Sequence, residues 1–190
     1  MLFRSPALLM VDCVASLGCM PFEMDAWGVD VAMAGSQKGL MTPPGLAFVA
    51  ANERARAAHK TADMKTHYWD WTFREGPEHY QKYCGTPPEH LLFAQRAALD
   101  MLLAEGLEAA WKRHALLARA THAAVAKWSE GQVLSLNISE PSQRAPSITN
   151  VRMAGFDTGL LTEYTRTKCG VTLGLGIGGY EGRADRKSVV

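Results

Sequence analysis

The stretch that most constrains this chain is the run Leu8-Leu9-Met10-Val11-Asp12-Cys13-Val14. It is of strand length and apolar at successive positions, so it lacks the in–out alternation of a sheet with one wet face. Such a run suits a strand buried on both faces, as in a parallel sheet. Asp12 breaks it with a carboxylate, which needs a partner to be buried at all. Asp30-Val31-Ala32-Met33-Ala34 is a second such run, and Leu46-Ala47-Phe48-Val49-Ala50-Ala51 a third. Asn52 then offers a cap to Glu53-Arg54-Ala55-Arg56-Ala57-Ala58, whose early acid and alanines favour a short helix. Strand, loop, strand, loop, strand with short helices reads as α/β.

From Lys60 to Gly85 the chain is polar and aromatic without a sustained period, which predicts an irregular excursion long enough to be functional. Trp69 and Trp71 within it read as interface or core aromatics. Thr86-Pro87-Pro88-Glu89 carries a cap, an early proline and an early acid. Leu91, Leu92, Ala94, Gln95, Ala98, Leu99, Leu102 and Leu103 then trace a helical face that Gly106 ends. A second helix is expected from Leu107 to Trp128, with Lys112-Arg113-His114 exposed. After Gly131 short alternating runs, a helical stretch over 157–168 and the glycine-rich 171–179 predict a small α+β domain. The expected division is therefore residues 1–105 and residues 106–190.

Several function classes are disfavoured by composition. Twenty basic and nineteen acidic residues leave a net charge of +1, with no long basic run to engage nucleic acid or an anionic membrane. The four cysteines, at 13, 19, 84 and 169, form no CxxC pair and no metal-ligand spacing with histidine, and read as reduced thiols of a cytoplasmic protein. No metal site is expected. The apolar opening is not an export signal, because Asp12 interrupts it. The two ends read as foreign: Leu2-Phe3-Arg4-Ser5 and Asp185-Arg186-Lys187-Ser188-Val189-Val190 can be encoded by strings sharing a reverse-complementary core, as ligated sequencing adapters would. The native segment is then expected to run from about Pro6 to Ala184, and a native reading frame continuing upstream of Pro6 in other codons would rule this out.

The candidate chemistry lies in Lys38 of Gly35-Ser36-Gln37-Lys38-Gly39, twenty-six positions after Asp12. A carboxylate ending one strand and a lysine just beyond the next could hold pyridoxal phosphate between them. Lys38 would form a Schiff base with the aldehyde, while Asp12 would keep the pyridine nitrogen protonated. Taken singly, Lys38 reads as a surface lysine and Asp12 as a strand-terminal cap.

The longer pattern is more specific. Val11-Asp12-Cys13-Val14-Ala15-Ser16-Leu17-Gly18, Met24-Asp25-Ala26-Trp27-Gly28-Val29-Asp30, Gly35-Ser36-Gln37-Lys38-Gly39 and Pro43-Pro44-Gly45 closely resemble the class V aminotransferases, most of all the alanine-glyoxylate and serine-glyoxylate family. The resemblance implies part of a fold type I pyridoxal-phosphate large domain followed by a small α+β C-terminal domain. It implies an amino-group transfer from alanine or serine to glyoxylate or a similar 2-oxo acid, in a homodimer. By the same resemblance Asp12 would pair with the pyridinium nitrogen, Val14 would pack under the ring and Gln37 would bond the phosphate. Tyr83 and Thr86, in Tyr83-Cys84-Gly85-Thr86, match the family's Tyr-x-x-Thr element, which reaches the phosphate of the neighbouring subunit. Their plainer readings are a packed phenol and a helix cap.

Gly174-Leu175-Gly176-Ile177-Gly178-Gly179 satisfies GxGxxG but leaves no room for the helix and strand of a dinucleotide site, so it reads as a tight turn. In relatives a similar glycine stretch leads to an arginine that binds the substrate carboxylate, and the sequence diverges before that arginine. The family's preceding phosphate loop and ring-stacking aromatic are also missing. The resemblance therefore covers nearly all of the chain and about half of an enzyme, and the chain alone is expected to be inactive. Phosphonate-amine or pyridoxamine-pyruvate transamination, and a non-catalytic remnant of the fold, remain as alternatives.

Overall fold

A computed structural model describes residues 5–131, 133–155, 157–175 and 184–188. They fall into two compact units, one of residues 1–17 and 22–104, the other of residues 18–21 and 105–190. Nothing in the sequence foretells that the short segment Gly18–Pro21 belongs with the second.

The first unit is built on a three-stranded sheet in the order β1 (Met10–Asp12), β2 (Val31–Gly35), β3 (Ala47–Ala51). Strands β1 and β2 are parallel, Met10 opposite Val31 and Asp12 opposite Met33, whereas β2 and β3 are antiparallel. Only β2 has neighbours on both sides, and it carries the buried residues Val31, Ala32 and Ala34. Cys13 and Val29 join them, with Leu9, Val11, Phe22, Met24 and Phe48 packed around. The expected long, doubly buried first strand is corrected here. It is three residues long, and Leu8 and Met10 are 41% and 57% exposed.

Asp30, the residue before β2, is buried and fixes the entry to both strands. Its carboxylate accepts the Leu9 N–H at 2.7 Å, Asn52 Nδ2 at 2.9 Å and the Arg54 guanidinium at 2.9 Å. Arg54 also donates to the carbonyls of Ser5, Pro6 and Ala7. The Leu9 N–H first, then Asn52 and Arg54, outweigh burial and hold the Asp30 carboxyl below its ordinary 3.8.

Helix α1 (Glu53–Lys60) begins at Asn52, whose side chain accepts the Ala55 N–H. The excursion expected to be irregular contains two short helices, α2 (Trp71–Arg74) and α3 (His79–Tyr83). Asp70 caps α2, and Glu78 with Gln81 forms a capping box on α3, so local side-chain bonds supply what the missing period does not. Helix α4 (Glu89–Glu105) follows, with Gln95, Ala98 and Leu102 buried along one face.

In the second unit, α5 (Leu107–Trp128) packs on β4 (Leu134–Leu136) and β5 (Ile148–Met153). Its buried residues are Ala110, His114, Ala118 and Val125. This corrects the expectation that His114 is exposed: it lies four residues from both Ala110 and Ala118, on the face that meets the sheet. Helix α6 (Thr158–Cys169) is capped by Asp157, and β6 (Gly174–Leu175) and β7 (Ala184–Ser188) complete an antiparallel sheet ordered β4-β5-β7-β6. Most of the GxGxxG stretch, from Gly176 on, lies outside the described residues, so its reading as a turn does too. No described helix is long and apolar enough to cross a membrane. The described cysteines are free thiols, Cys13 and Cys19 buried and raised in pKa by that burial.

Candidate active site

Parallel pairing puts the carboxyl ends of β1 and β2 side by side, and the two central candidates lie at that end. Asp12 is the last residue of β1, and the Cys13 N–H continues the ladder to the Met33 carbonyl at 2.7 Å. Strand β2 runs straight on into Ser36, Gln37 and Lys38. Both groups therefore emerge at one edge of the sheet, where open α/β sheets bind their ligands.

Asp12 is exposed. One carboxylate oxygen accepts the Val14 N–H at 2.8 Å, an Asx turn that fixes the orientation of the group. Its other oxygen carries no hydrogen bond among the described residues. Val14, two residues on, is half-buried.

The turn that carries Lys38 is closed by a set of hydroxyl and amide bonds. Fully buried Ser36 donates its Oγ proton to the Pro43 carbonyl at 2.7 Å, and its own carbonyl accepts the Thr42 N–H at 3.0 Å. The Ser36 N–H donates to Leu46 O at 3.1 Å and the Met41 N–H to Lys38 O at 2.8 Å. Met41 adopts a left-handed backbone, φ 59°. Residues 36–46 thus form a closed loop with Lys38 half-buried near its tip. A Cβ on Gly35 would lie 2.8 Å from Gln37 Oε1, so the bare glycine leaves the room that the Gln37 side chain occupies. Ser36 and Thr42 were not singled out from the sequence. The signal for them is small hydroxyl residues bracketing the lysine ahead of two prolines.

Tyr83 and Thr86 lie elsewhere in the first unit, in the connection between α3 and α4. Tyr83 ends α3 half-buried, Cys84 is left-handed at φ 53°, Gly85 has φ 149°, and Thr86 is exposed. The Thr86 hydroxyl makes no capping hydrogen bond among the described residues, so the plainer reading of it as a cap has no support. Trp71 is half-buried on His59, at 5.2 Å between rings, while Trp69 is 73% exposed. No hydrogen bond among the described residues joins Asp12, Gln37, Lys38, Tyr83 and Thr86 to one another, and no described cluster could hold a metal ion.

The arrangement offers an oriented carboxylate with a free oxygen and a primary amine at the same sheet edge, with an amide beside the amine. That donor set fits pyridoxal phosphate: carboxylate for a protonated ring nitrogen, amine for the aldehyde, amide for the phosphate.

Comparison with known proteins agrees with that chemistry. Residues 2–177 match the aminotransferase class-V family. The chain is 38% identical to an L-aspartate–glyoxylate aminotransferase of Paracoccus denitrificans, covering 96% of this chain and 46% of that protein. It is 36% identical to a serine–glyoxylate aminotransferase of Methylorubrum extorquens, covering 95% and 46%. Its fold superposes on a crystal structure of alanine–glyoxylate aminotransferase from Nostoc sp. with a TM-score of 0.81 at 31% identity, covering 95% and 48%. On pyridoxamine-pyruvate aminotransferase from Mesorhizobium loti the TM-score is 0.83 at 30% identity, covering 96% and 46%. The fold is thus a partial mixed α/β fold of the type I aminotransferases, and the chain spans about half the length of the relatives it matches. With a family match over most of its residues and the same architecture, the chain belongs to the class-V aminotransferases.

Proposed function

We propose that this chain is the lysine-bearing part of a pyridoxal-phosphate-dependent transaminase. The whole protein would transfer the amino group of a small amino acid, alanine or serine by its resemblance, to glyoxylate or a similar 2-oxo acid. The observation that supports this most is the emergence of Asp12 and Lys38 at the same carboxyl edge of two adjacent parallel strands.

The cofactor, when bound, supplies an aldehyde and an electron-accepting ring. The free oxygen of Asp12 favours a protonated nitrogen opposite it, and the Asx turn holds that oxygen in place. Val14 would pack against the ring, and the Gln37 amide would donate to the phosphate. Lys38 Nζ would hold the aldehyde and, as a free amine, would move a proton to and from the substrate Cα, so that one side chain would serve as tether and as acid–base catalyst. Tyr83 and Thr86 would reach the phosphate held by a second subunit, so that the active assembly would be a homodimer, in the cytoplasm. Turnover by the 190-residue chain alone is expected to be negligible.

The test is selective trapping. The chain is incubated with pyridoxal phosphate, reduced with borohydride and digested for mass spectrometry. Lys38 should carry the adduct in clear excess over the exposed Lys60 and Lys65, and Lys38→Ala should lose it. An adduct spread evenly over surface lysines would overturn the proposal.

A further inference from the structure

Among the buried polar side chains described in the first unit, Gln95 is the one that leaves a side-chain atom without a hydrogen-bond partner. It lies on α4 and is 4% exposed. Its Oε1 is 2.8 Å from Thr42 Oγ1, which is also 3.0 Å from the Ser36 carbonyl. Its Nε2 is buried without a partner among the described residues. The Thr42 hydroxyl has one proton and two acceptors in reach. Turning the amide over resolves this: Nε2–H then donates to Thr42 Oγ1, and the Thr42 proton goes to the Ser36 carbonyl. Either orientation ties α4 to the backbone of the residue two before Lys38. One turn earlier on the same helix, Leu91 lies against the loop as well, where a Cβ on Gly45 would be 2.5 Å from Leu91 Cδ1.

A buried amide with an unsatisfied N–H or C=O costs stability, and the bond it does make offsets part of that cost. Thr42 is the closing residue of the Lys38 turn, bonded to Ser36 through both its N–H and its hydroxyl. We propose that Gln95 is a positioning residue for Lys38: by holding Thr42 from α4, it fixes the turn from which the amine projects. The inference rests on Lys38 being the cofactor lysine.

The test uses site-resolved hydrogen exchange on the full chain. Gln95→Leu and Thr42→Val should each speed exchange of the Met41 and Thr42 amides about fivefold, the factor that corresponds to losing one hydrogen bond of about 1 kcal/mol. The amides of β2 should be unaffected, and Thr42→Ser, which keeps the hydroxyl, should behave like the parent. Thr42→Val removes only the hydroxyl and keeps the test available if Gln95→Leu does not fold. Unchanged exchange at Met41 and Thr42 would overturn the proposal. So would an equal rise throughout β2, which marks a packing role alone. The borohydride adduct on Lys38 is read in parallel, and its yield should fall in both variants and recover in Thr42→Ser. If the unmutated chain gives no Lys38 adduct while the exchange pattern holds, the cofactor reading fails and the coupling of Gln95 to the turn stands.

Discussion

Two turns carry the proposed site residues, and they are built in opposite ways. The Lys38 turn is sunk into the first unit: Ser36, Gly39, Leu40 and Thr42 are buried, and its polar backbone groups are answered from within. The turn after α3, with Tyr83 and Thr86, has no fully buried residue and is held by few bonds, chiefly Gly85 N–H to Tyr80 O at 3.0 Å and Cys84 Sγ to His67 O at 3.3 Å. Each contains one left-handed residue that is not glycine, Met41 and Cys84. The contrast teaches that the backbone carrying the amine is fixed by this chain's own interior, whereas the Thr86 hydroxyl is presented outward beside a half-buried Tyr83. That is the division of labour expected if the first turn serves its own site and the second serves a neighbour's.

The sharpest way to break the comparison is to add one methyl group to each turn. Gly45 and Gly85 have φ of 142° and 149°, where an L side chain is strained. At Gly45 the new Cβ also meets Leu91, 2.5 Å away, while at Gly85 nothing lies within 4 Å. Gly45→Ala should therefore cost about 3 kcal/mol and Gly85→Ala about 1.5 kcal/mol in urea unfolding, the second reporting backbone strain alone. Equal losses would mean that the helix does not buttress the lysine turn.

Removing one hydroxyl from each turn comes next in size. Ser36→Ala removes a fully buried hydroxyl and its part-buried bond to the Pro43 carbonyl and should cost about 1.5 kcal/mol. Thr86→Ala removes an exposed hydroxyl with no described partner and should stay within about 0.5 kcal/mol. A large effect at Thr86 in the isolated chain would show that it works within its own subunit.

Acid separates the two regions by which carboxylate fails. For Asp70, burial raises the pKa, and the bonds from His59 and the Thr72 and Phe73 N–H groups outweigh it, so the net shift is downward, as at Asp30. Both groups therefore add stability that is complete above 3.8 and is lost as pH falls through the lower folded pKa. Exchange protection, corrected for intrinsic rates, should decline in acid in β2 and in α2 alike. Asp30→Asn should flatten the decline in β2, and Asp70→Asn should flatten it in α2 only. If either variant flattens both, the two regions unfold as one.

How much of this was legible in the sequence follows from which forces are local. Helices α1, α4 and α5 were readable because an early acid, a glycine stop or an apolar period is written within each segment, and Asn52 and Gly106 stand at helix ends in the structure as the sequence puts them. The pair Asp12 and Lys38 was readable through the family pattern, and its placement on one sheet edge needed only parallel pairing. The edge position of β1 was not readable, since an apolar run looks the same whether one or two neighbours cover it. The burial of His114 was missed because a run of Lys112-Arg113-His114 looks solvated until the helix is rotated onto its sheet. Gln95 was placed on the inner face of α4 by its period, but its partner Thr42 is fifty-three positions away, and no local pattern announces that bond.

The smallest effect is also the most discriminating, because it compares the same change in both turns. A non-glycine residue in the left-handed region is strained by about 1 kcal/mol, and replacing it with glycine relieves that strain while loosening the unfolded chain by a similar amount. Met41→Gly should therefore come out within about 0.5 kcal/mol of the parent, since Met41 is 43% exposed and its side chain contributes little burial. Cys84→Gly begins from the same backbone balance but also deletes the Sγ contact to the His67 carbonyl, so it should lie lower than Met41→Gly by a few tenths of a kcal/mol. If Cys84→Gly is instead the more stable of the two, the thiol is a bystander. The outward turn is then held by its backbone bonds and capping box alone, leaving it freer than the lysine turn to adapt to a second subunit.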